Sequence, residues 1–417
     1  MMLYIFITIY SISLSYFLLK KRSVDMFTIL FGGLFYYSIP LLMGKITLTG
    51  VVINQDVNYI VYIIYSFVFI VSFSFMYVND KKKVKVIRVE KQGYLDKPAS
   101  RSLFFFTMIV FLFFLIGVFQ MGFSNYFFTA NKSINEDIPT LISISVVFSM
   151  IMLPVSLYYQ KIISLIIFFL ILLSLLLYGS RSYFVIAMIS SVFILFNFKE
   201  VRLIKKAPLL IVGIFFAVSM AVFKFVYQII KSASLSELIS NVKKLDSDSI
   251  ISQLLGDPMA VIYNLNYTIN NDISLSMNYF IHRFLSAVPG GGDFFSSLIG
   301  IDFPRYSSIL GNEYTTVHWG LASSIYAELI AISGFAGFCV VYLLINKLTF
   351  DFNNSIKLKG LNFFNLIFIS AYSYLLFYSH RLDITFVLGI FKYSVILWII
   401  FKFILKKKRK EKMIKPI

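Results

Sequence analysis

Residues 162–198 read IISLIIFFLILLSLLLYGSRSYFVIAMISSVFILFNF. Two apolar runs stand back to back, interrupted only by Tyr178-Gly179-Ser180-Arg181-Ser182. At 1.5 Å per residue such a run, wound as a helix, approaches the ~30 Å of a bilayer's hydrocarbon core. Inside lipid a segment must satisfy its own backbone hydrogen bonds, so each run is predicted to be a helix. Similar runs recur along the chain, at 2–19, 26–44, 59–78, 103–121, 139–158, 162–178, 183–198, 207–224, 320–346, 361–378 and 384–404. The prediction is an all-α polytopic membrane protein of about 11 transmembrane helices, forming one integral membrane domain over 1–417.

Composition agrees. The chain is 59% hydrophobic and 14% charged, whereas soluble domains run about 45–50% apolar and ~25% charged. The formal charge of +18 would suggest nucleic acid in a soluble protein. Here the positive residues cluster at the ends of spans, which points to topology and excludes a nucleic-acid partner. Segments 20–25, 79–102, 159–161, 199–206, 347–360 and the tail from 402 hold 27 of the 38 Lys and Arg residues. By the positive-inside rule these are cytoplasmic, with the N-terminus outside and the C-terminus inside. The basic tail, 405–417, would rest against anionic headgroups of membrane lipids. Leu3–Leu19 precedes Lys20, Lys21 and Arg22, the reverse of a secretory signal's order, so a retained first span is expected.

Several chemistries are excluded by missing signatures. Cys339 is the one cysteine, so no CxxC site exists, and His282, His318 and His380 lack metal-ligand spacing. GxxxxGK[ST], HExxH and GxSxG are absent, as is a DxD-like pair on the cytoplasmic side. ATP-driven transport, metalloprotease and serine hydrolase readings fall away, and neither metal nor cofactor is expected. No inverted repeat of the transporter kind is present.

One stretch departs from the apolar pattern. Residues 225–317 carry eight of the twenty carboxylates and read as a long external loop, a helical lid over the membrane domain. Within it, 234–255 has helical apolar spacing and is predicted to be an amphipathic helix broken at Asp257-Pro258. A second helix is expected over about 275–287, ending at Val288-Pro289-Gly290-Gly291-Gly292.

The external side carries the candidate chemistry. Arg181 contradicts the positive-inside rule at membrane depth, and its planar fork suits a phosphate or diphosphate; the plainer reading is a snorkelling arginine. Arg283, beside His282, and Arg305, beside Asp302, are scarce external positives that bind substrate or pair with a neighbouring aspartate. Glu328 lies about two turns inside a span, near Tyr326, where a carboxylate is costly unless paired or wet; it is a base or the partner of an arginine such as Arg181. His318 is a candidate base near neutral pH or a belt residue beside Trp319. Ser379-His380-Arg381-Leu382-Asp383 forms a very short turn whose polar groups face whatever the helices enclose, with Arg381 and Asp383 as a candidate local pair.

The chain resembles the O-antigen polymerase family, the oligosaccharide repeat-unit polymerases of bacterial surface polysaccharide pathways. The resemblance rests on the span count with one late external loop and on Gly179-Ser180-Arg181-Ser182 at an external span end. It rests also on the run from Gly311 through Tyr326-Ala327-Glu328 to Gly334-Phe335-Ala336-Gly337. It implies a GT-C-like glycosyltransferase of the bacterial inner membrane, with its active site facing the periplasm or exterior. Its substrates would be oligosaccharides linked to undecaprenyl diphosphate, and chain-length regulator and flippase proteins would be partners. Arg181, Glu328 and His318 would be catalytic, with Arg283, Arg305, Arg381, His380 and Tyr326 binding substrate. A flippase, an O-antigen ligase and a non-enzymatic assembly factor are the competing readings.

Overall fold

The computed structural model describes residues 1–48, 53–82, 97–128, 139–178, 181–196, 200–201, 247–288, 290–310, 324–381 and 383–413. The predicted span 207–224, the first part of the predicted loop, Gly179-Ser180 and His318 lie outside the described residues. The chain begins with α1 (Met2–Leu19), β1 (Arg22–Ser23), α2 (Met26–Tyr37), α3 (Ile39–Met43), β2 (Lys45–Leu48), β3 (Ile53–Asp56) and α4 (Tyr59–Lys81). It continues with α5 (Lys97–Met121), α6 (Phe123–Phe128), α7 (Thr140–Tyr158), α8 (Ile162–Tyr178), α9 (Ser182–Phe196) and β4 (Glu200–Val201). The last elements are α10 (Ser247–Asn270), α11 (Met277–Leu285), α12 (Gly291–Ile299), α13 (Tyr306–Ile309), α14 (Ile325–Lys359), α15 (Phe363–Tyr378) and α16 (Ile384–Met413).

Among the described residues, seven helical stretches rather than eleven are long and apolar enough to cross a membrane. They are Met2–Leu19, Met26–Met43, Tyr59–Lys81, Ser100–Met121, Thr140–Tyr158, Ile325–Lys359 and Ile384–Phe403. Three of the other expected spans are shorter apolar helices, at Ile162–Leu176, Ser182–Phe196 and Phe363–Tyr378. The chain is a polytopic α-helical membrane protein.

The chain divides into two compact units. The first comprises Met1–Val84, Phe198–Asn354 and Leu375–Leu388. Its helices start where side chains relieve free backbone amides. Asp25 and Thr28 form a reciprocal capping box at α2, and the Asn58 side chain accepts from Ile60 N–H at α4. Gly44, at φ 72°, ends α3 and leads into the antiparallel β2–β3 hairpin, where Lys45 faces Asp56. Edge-to-face rings join α1, α2 and α4: Phe6 meets Phe69 at 5.9 Å and Tyr10 meets Phe35 at 5.3 Å. A Cβ on Gly33 would lie 2.8 Å from the Phe377 carbonyl oxygen, so only glycine lets these backbones approach so closely.

The helix α10 corrects one expectation. It does not break at Asp257-Pro258 but runs through both to Asn270, and it packs against α2, α3, α4 and β2. Proline has no N–H, so it removes one backbone hydrogen bond, and its ring crowds one carbonyl. Packing of one face against several elements offsets that local cost, because tertiary contact supplies most helix stability.

At one end of this unit lies a buried ionic knot. Arg22 donates to Asp25 and Asp80, each at 3.1 Å, and Asn79 donates to the other Asp25 oxygen at 2.5 Å. Tyr16 reaches Asp80 and the Asn353 side chain accepts from Met26 N–H. The knot ties the end of α4 to the start of α2, while α4 begins far away, where Asn58 N–H donates to Asn266 of α10.

The second unit comprises Lys85–Asn197, Ser355–Tyr374 and Gly389–Ile417. Its central helix is α7, which packs on α5, α8 and α9 and is buried along most of its length. Small and hydroxyl residues make the contacts close. Gly117 of α5 abuts Ile142, Ser145 donates to Val110 O at 3.2 Å, and Ser370 donates to Met150 O at 3.2 Å. Interhelical hydrogen bonds of this kind in membranes are worth about 0.6 kcal/mol on average.

Candidate functional site

The first unit gathers most of the predicted site residues, from segments far apart in sequence. Glu328 sits in the first turn of α14 and is fully buried. Among the described residues no arginine forms a direct bridge to it. One of its oxygens accepts from the Tyr279 hydroxyl at 3.2 Å and the other from Ile384 N–H at 2.8 Å. Asp383, also buried, accepts from Phe386 N–H at 3.2 Å. Two carboxylates therefore share the N-terminus of α16, where free amides and the helix dipole favour negative charge. Burial nevertheless raises the Asp383 pKa, against the lowering by the Phe386 amide and by Arg305 and Arg283. The second Asp383 oxygen has no partner among the described residues.

Arg283 is buried on α11, one turn beyond Tyr279, with its guanidinium 4.6 Å from the Tyr279 ring centre. One terminal nitrogen donates to the carbonyls of Phe303, at 2.8 Å, and Pro304. Its Nε is buried without a partner among the described residues. It is thus held by carbonyls rather than by a neighbouring aspartate. Arg305 is exposed, 4.9 Å from the Phe386 ring centre. Burial lifts the Tyr279 pKa, with Glu328 adding to the rise, so the phenol stays a donor to that carboxylate. A recess of about 250 Å³ opens beside Tyr279, lined also by Ser274, Ser276, Phe303 and Pro304.

The turn after α15 contributes differently from the expected local pair. Arg381 bridges to Asp257 of α10 at 2.7 Å, leaving Asp383 to the carboxylate pair. His380 is buried between parallel rings, Tyr37 at 5.3 Å and Tyr65 at 5.9 Å, with Tyr326 edge-on at 4.8 Å. The Tyr326 hydroxyl lies 3.4 Å from Ser379 Oγ. His380 and Tyr326 are walls of this aromatic box. Arg181 belongs to the second unit, half-buried immediately before α9, and His318 lies outside the described residues.

Burial pushes the His380 pKa down from 6.5 to about 3. A lowered folded pKa means the unfolded chain binds more protons between those values, so the contribution is complete above pH 6.5 and declines as pH falls towards 3. The slope is about 1.4 kcal/mol per pH unit. Detergent-solubilised protein is expected to lose thermal stability below pH 6.5. His380→Phe, which keeps the stack, should show a shallower decline in the same melting series. Parallel pH curves for the two proteins would refute the assignment.

Sequence reasoning missed Tyr279 and underrated Asp383. Tyr279 stands one helical turn before Arg283, so a face-by-face reading of 275–287 would have found it. Asp383 sits one residue before a predicted span, the position of an N-cap. No family model, curated protein or solved structure matches the chain.

Proposed function

We propose that this protein is a membrane glycosyltransferase that joins lipid-linked oligosaccharide repeat units at the external face of the bacterial inner membrane, lengthening a surface polysaccharide. One observation carries the reading: Glu328 and Asp383, two buried carboxylates at one helix start, connect through the Tyr279 hydroxyl, which donates to Glu328, to a recess that Tyr279 lines, and the incompletely satisfied Arg283 packs on that same ring. The reaction forms a bond between an acceptor hydroxyl oxygen and the donor's anomeric carbon. The bond from that carbon to the lipid diphosphate breaks, and the diphosphate leaves with the electron pair. The hydroxyl proton passes to a carboxylate, Glu328 first and Asp383 second in rank. Arg283 and Arg305 meet the negative charge that grows on the leaving group, a task for preorganised cations. Arg381, neutralised by Asp257, has a positioning role in this scheme.

The test is the length distribution of the surface glycan. Arg283→Ala should leave the protein in the membrane and stop the glycan at one repeat unit, because losing one preorganised donor typically costs about 10²–10³ in rate. Long-chain glycan from this variant would refute the site. Loss of even single units on deleting the protein would favour a flippase, and free lipid-linked polymer a ligase.

A further inference from the structure

We propose that the α11–α12 hairpin is a re-entrant membrane element whose outer face lies among lipid acyl chains. The hairpin has two chemically distinct faces. Tyr279, His282 and Arg283 are buried. Met277, Ile281, Phe284 and Val288 recur at spacings of four, three and four residues and are exposed, as are Phe294, Leu298 and Ile301. Phe284 is 60% exposed, Phe294 68% and Leu298 70%. Apolar exposure on that scale on two adjoining helices marks a surface made for something other than water.

Depth identifies the occupant. Leu275 N–H donates to the Ala331 carbonyl at 2.7 Å, and Tyr279 reaches Glu328. Ala331 is six residues past Ile325, the first residue of a membrane-crossing helix, hence about 9 Å along it. The hairpin therefore starts beside the first two turns of α14 rather than beyond its end. The Ala331 carbonyl is free to accept because Gly334, at φ 65° and ψ −174°, interrupts the helix. Only glycine takes that conformation without strain. Charges near the hairpin, Asp293 and Asp302, fall outside the apolar stripe. Gly291 and Gly292 let α12 abut α11, since a Cβ on either would strike Leu285 O or the Ser286 hydroxyl. An amphipathic element at this depth buries its apolar face against acyl chains. One helix, about 10 Å thick, then separates lipid from Tyr279 and Arg283. The inference stands apart from the chemistry proposed above.

Tryptophan fluorescence tests it. Trp319 and Trp398 are replaced by Phe, and a single tryptophan is introduced as Phe284→Trp, Leu298→Trp or, for comparison, Asp302→Trp. Each protein is reconstituted into phosphatidylcholine vesicles with or without bromine on the upper acyl chain. Bromine should remove about half or more of the emission at the first two positions, as for side chains about 5–10 Å below the headgroups, and little at the third. Emission unaffected by bromine at either Phe284→Trp or Leu298→Trp overturns the proposal, whether water or protein covers that face.

Discussion

Under the proposed glycosyl transfer, Glu328→Gln is expected to abolish repeat-unit joining while leaving the protein folded in the membrane. Glutamine keeps the shape. Its carbonyl still accepts from Ile384 N–H, and its amide can donate to the Tyr279 hydroxyl, which accepts as readily as it donates. What glutamine lacks is the ability to take a proton. Loss of a positioned general base costs about 10²–10⁴ in rate, enough to leave only single-unit glycan. Glu328→Ala should differ: it strands the Ile384 amide in a buried site at about 1–3 kcal/mol and lowers the amount of protein as well. Glycan length separates the two, read beside protein level in isolated membranes. A Glu328→Gln strain with normal long chains would remove Glu328 as the base and shift the role to Asp383.

Arg22→Met is expected to produce the largest loss of stability. Among the described residues the guanidinium is the one cation bridged to both Asp25 and Asp80, and all three side chains are almost wholly buried. Removing one partner of a buried ionic group leaves uncompensated charge, at a cost of about 3–5 kcal/mol. The penalty should shrink as pH falls, because a protonated Asp80 no longer needs the cation. Adding Asp80→Asn should recover part of the loss by the same argument. Thermal unfolding in detergent at two pH values checks this, and an Arg22→Met protein that melts with the parent would disprove it. Since the knot lies at the far end of α4 from the α10 contacts of Asn58, the double variant should still lengthen glycan.

Much of the architecture was legible along the chain. The apolar runs at 2–19, 59–78, 139–158 and 384–404 correspond to the membrane-crossing stretches Met2–Leu19, Tyr59–Lys81, Thr140–Tyr158 and Ile384–Phe403, since backbone satisfaction in lipid leaves an apolar run no alternative to helix. The helix expected over about 275–287 was legible from the Val288-Pro289-Gly290-Gly291-Gly292 stop behind it, and it runs over Met277–Leu285. Pro258 misled because a proline's local cost says nothing of the neighbours that offset it. Arg381 misled in the same way: Asp383 is two residues away in sequence, yet Asp257 is its partner in space.

Sequence by itself determined that this chain lives in a membrane and where most of its helices run, because hydropathy is a property of consecutive residues. It also marked out Glu328, Arg283, Arg305 and the Ser379–Asp383 turn as charges that need an explanation in such surroundings. Only the tertiary structure decided which of them meet. Tyr279, Glu328, Asp383 and Ile384 come from three elements, and their contacts span 49 and 56 residues of chain. Arg283 sits over Tyr279, and Asp257 crosses to Arg381. A desolvated charge takes whichever donor or acceptor the packing brings within hydrogen-bond reach, and that choice is made by helix contact rather than by sequence distance.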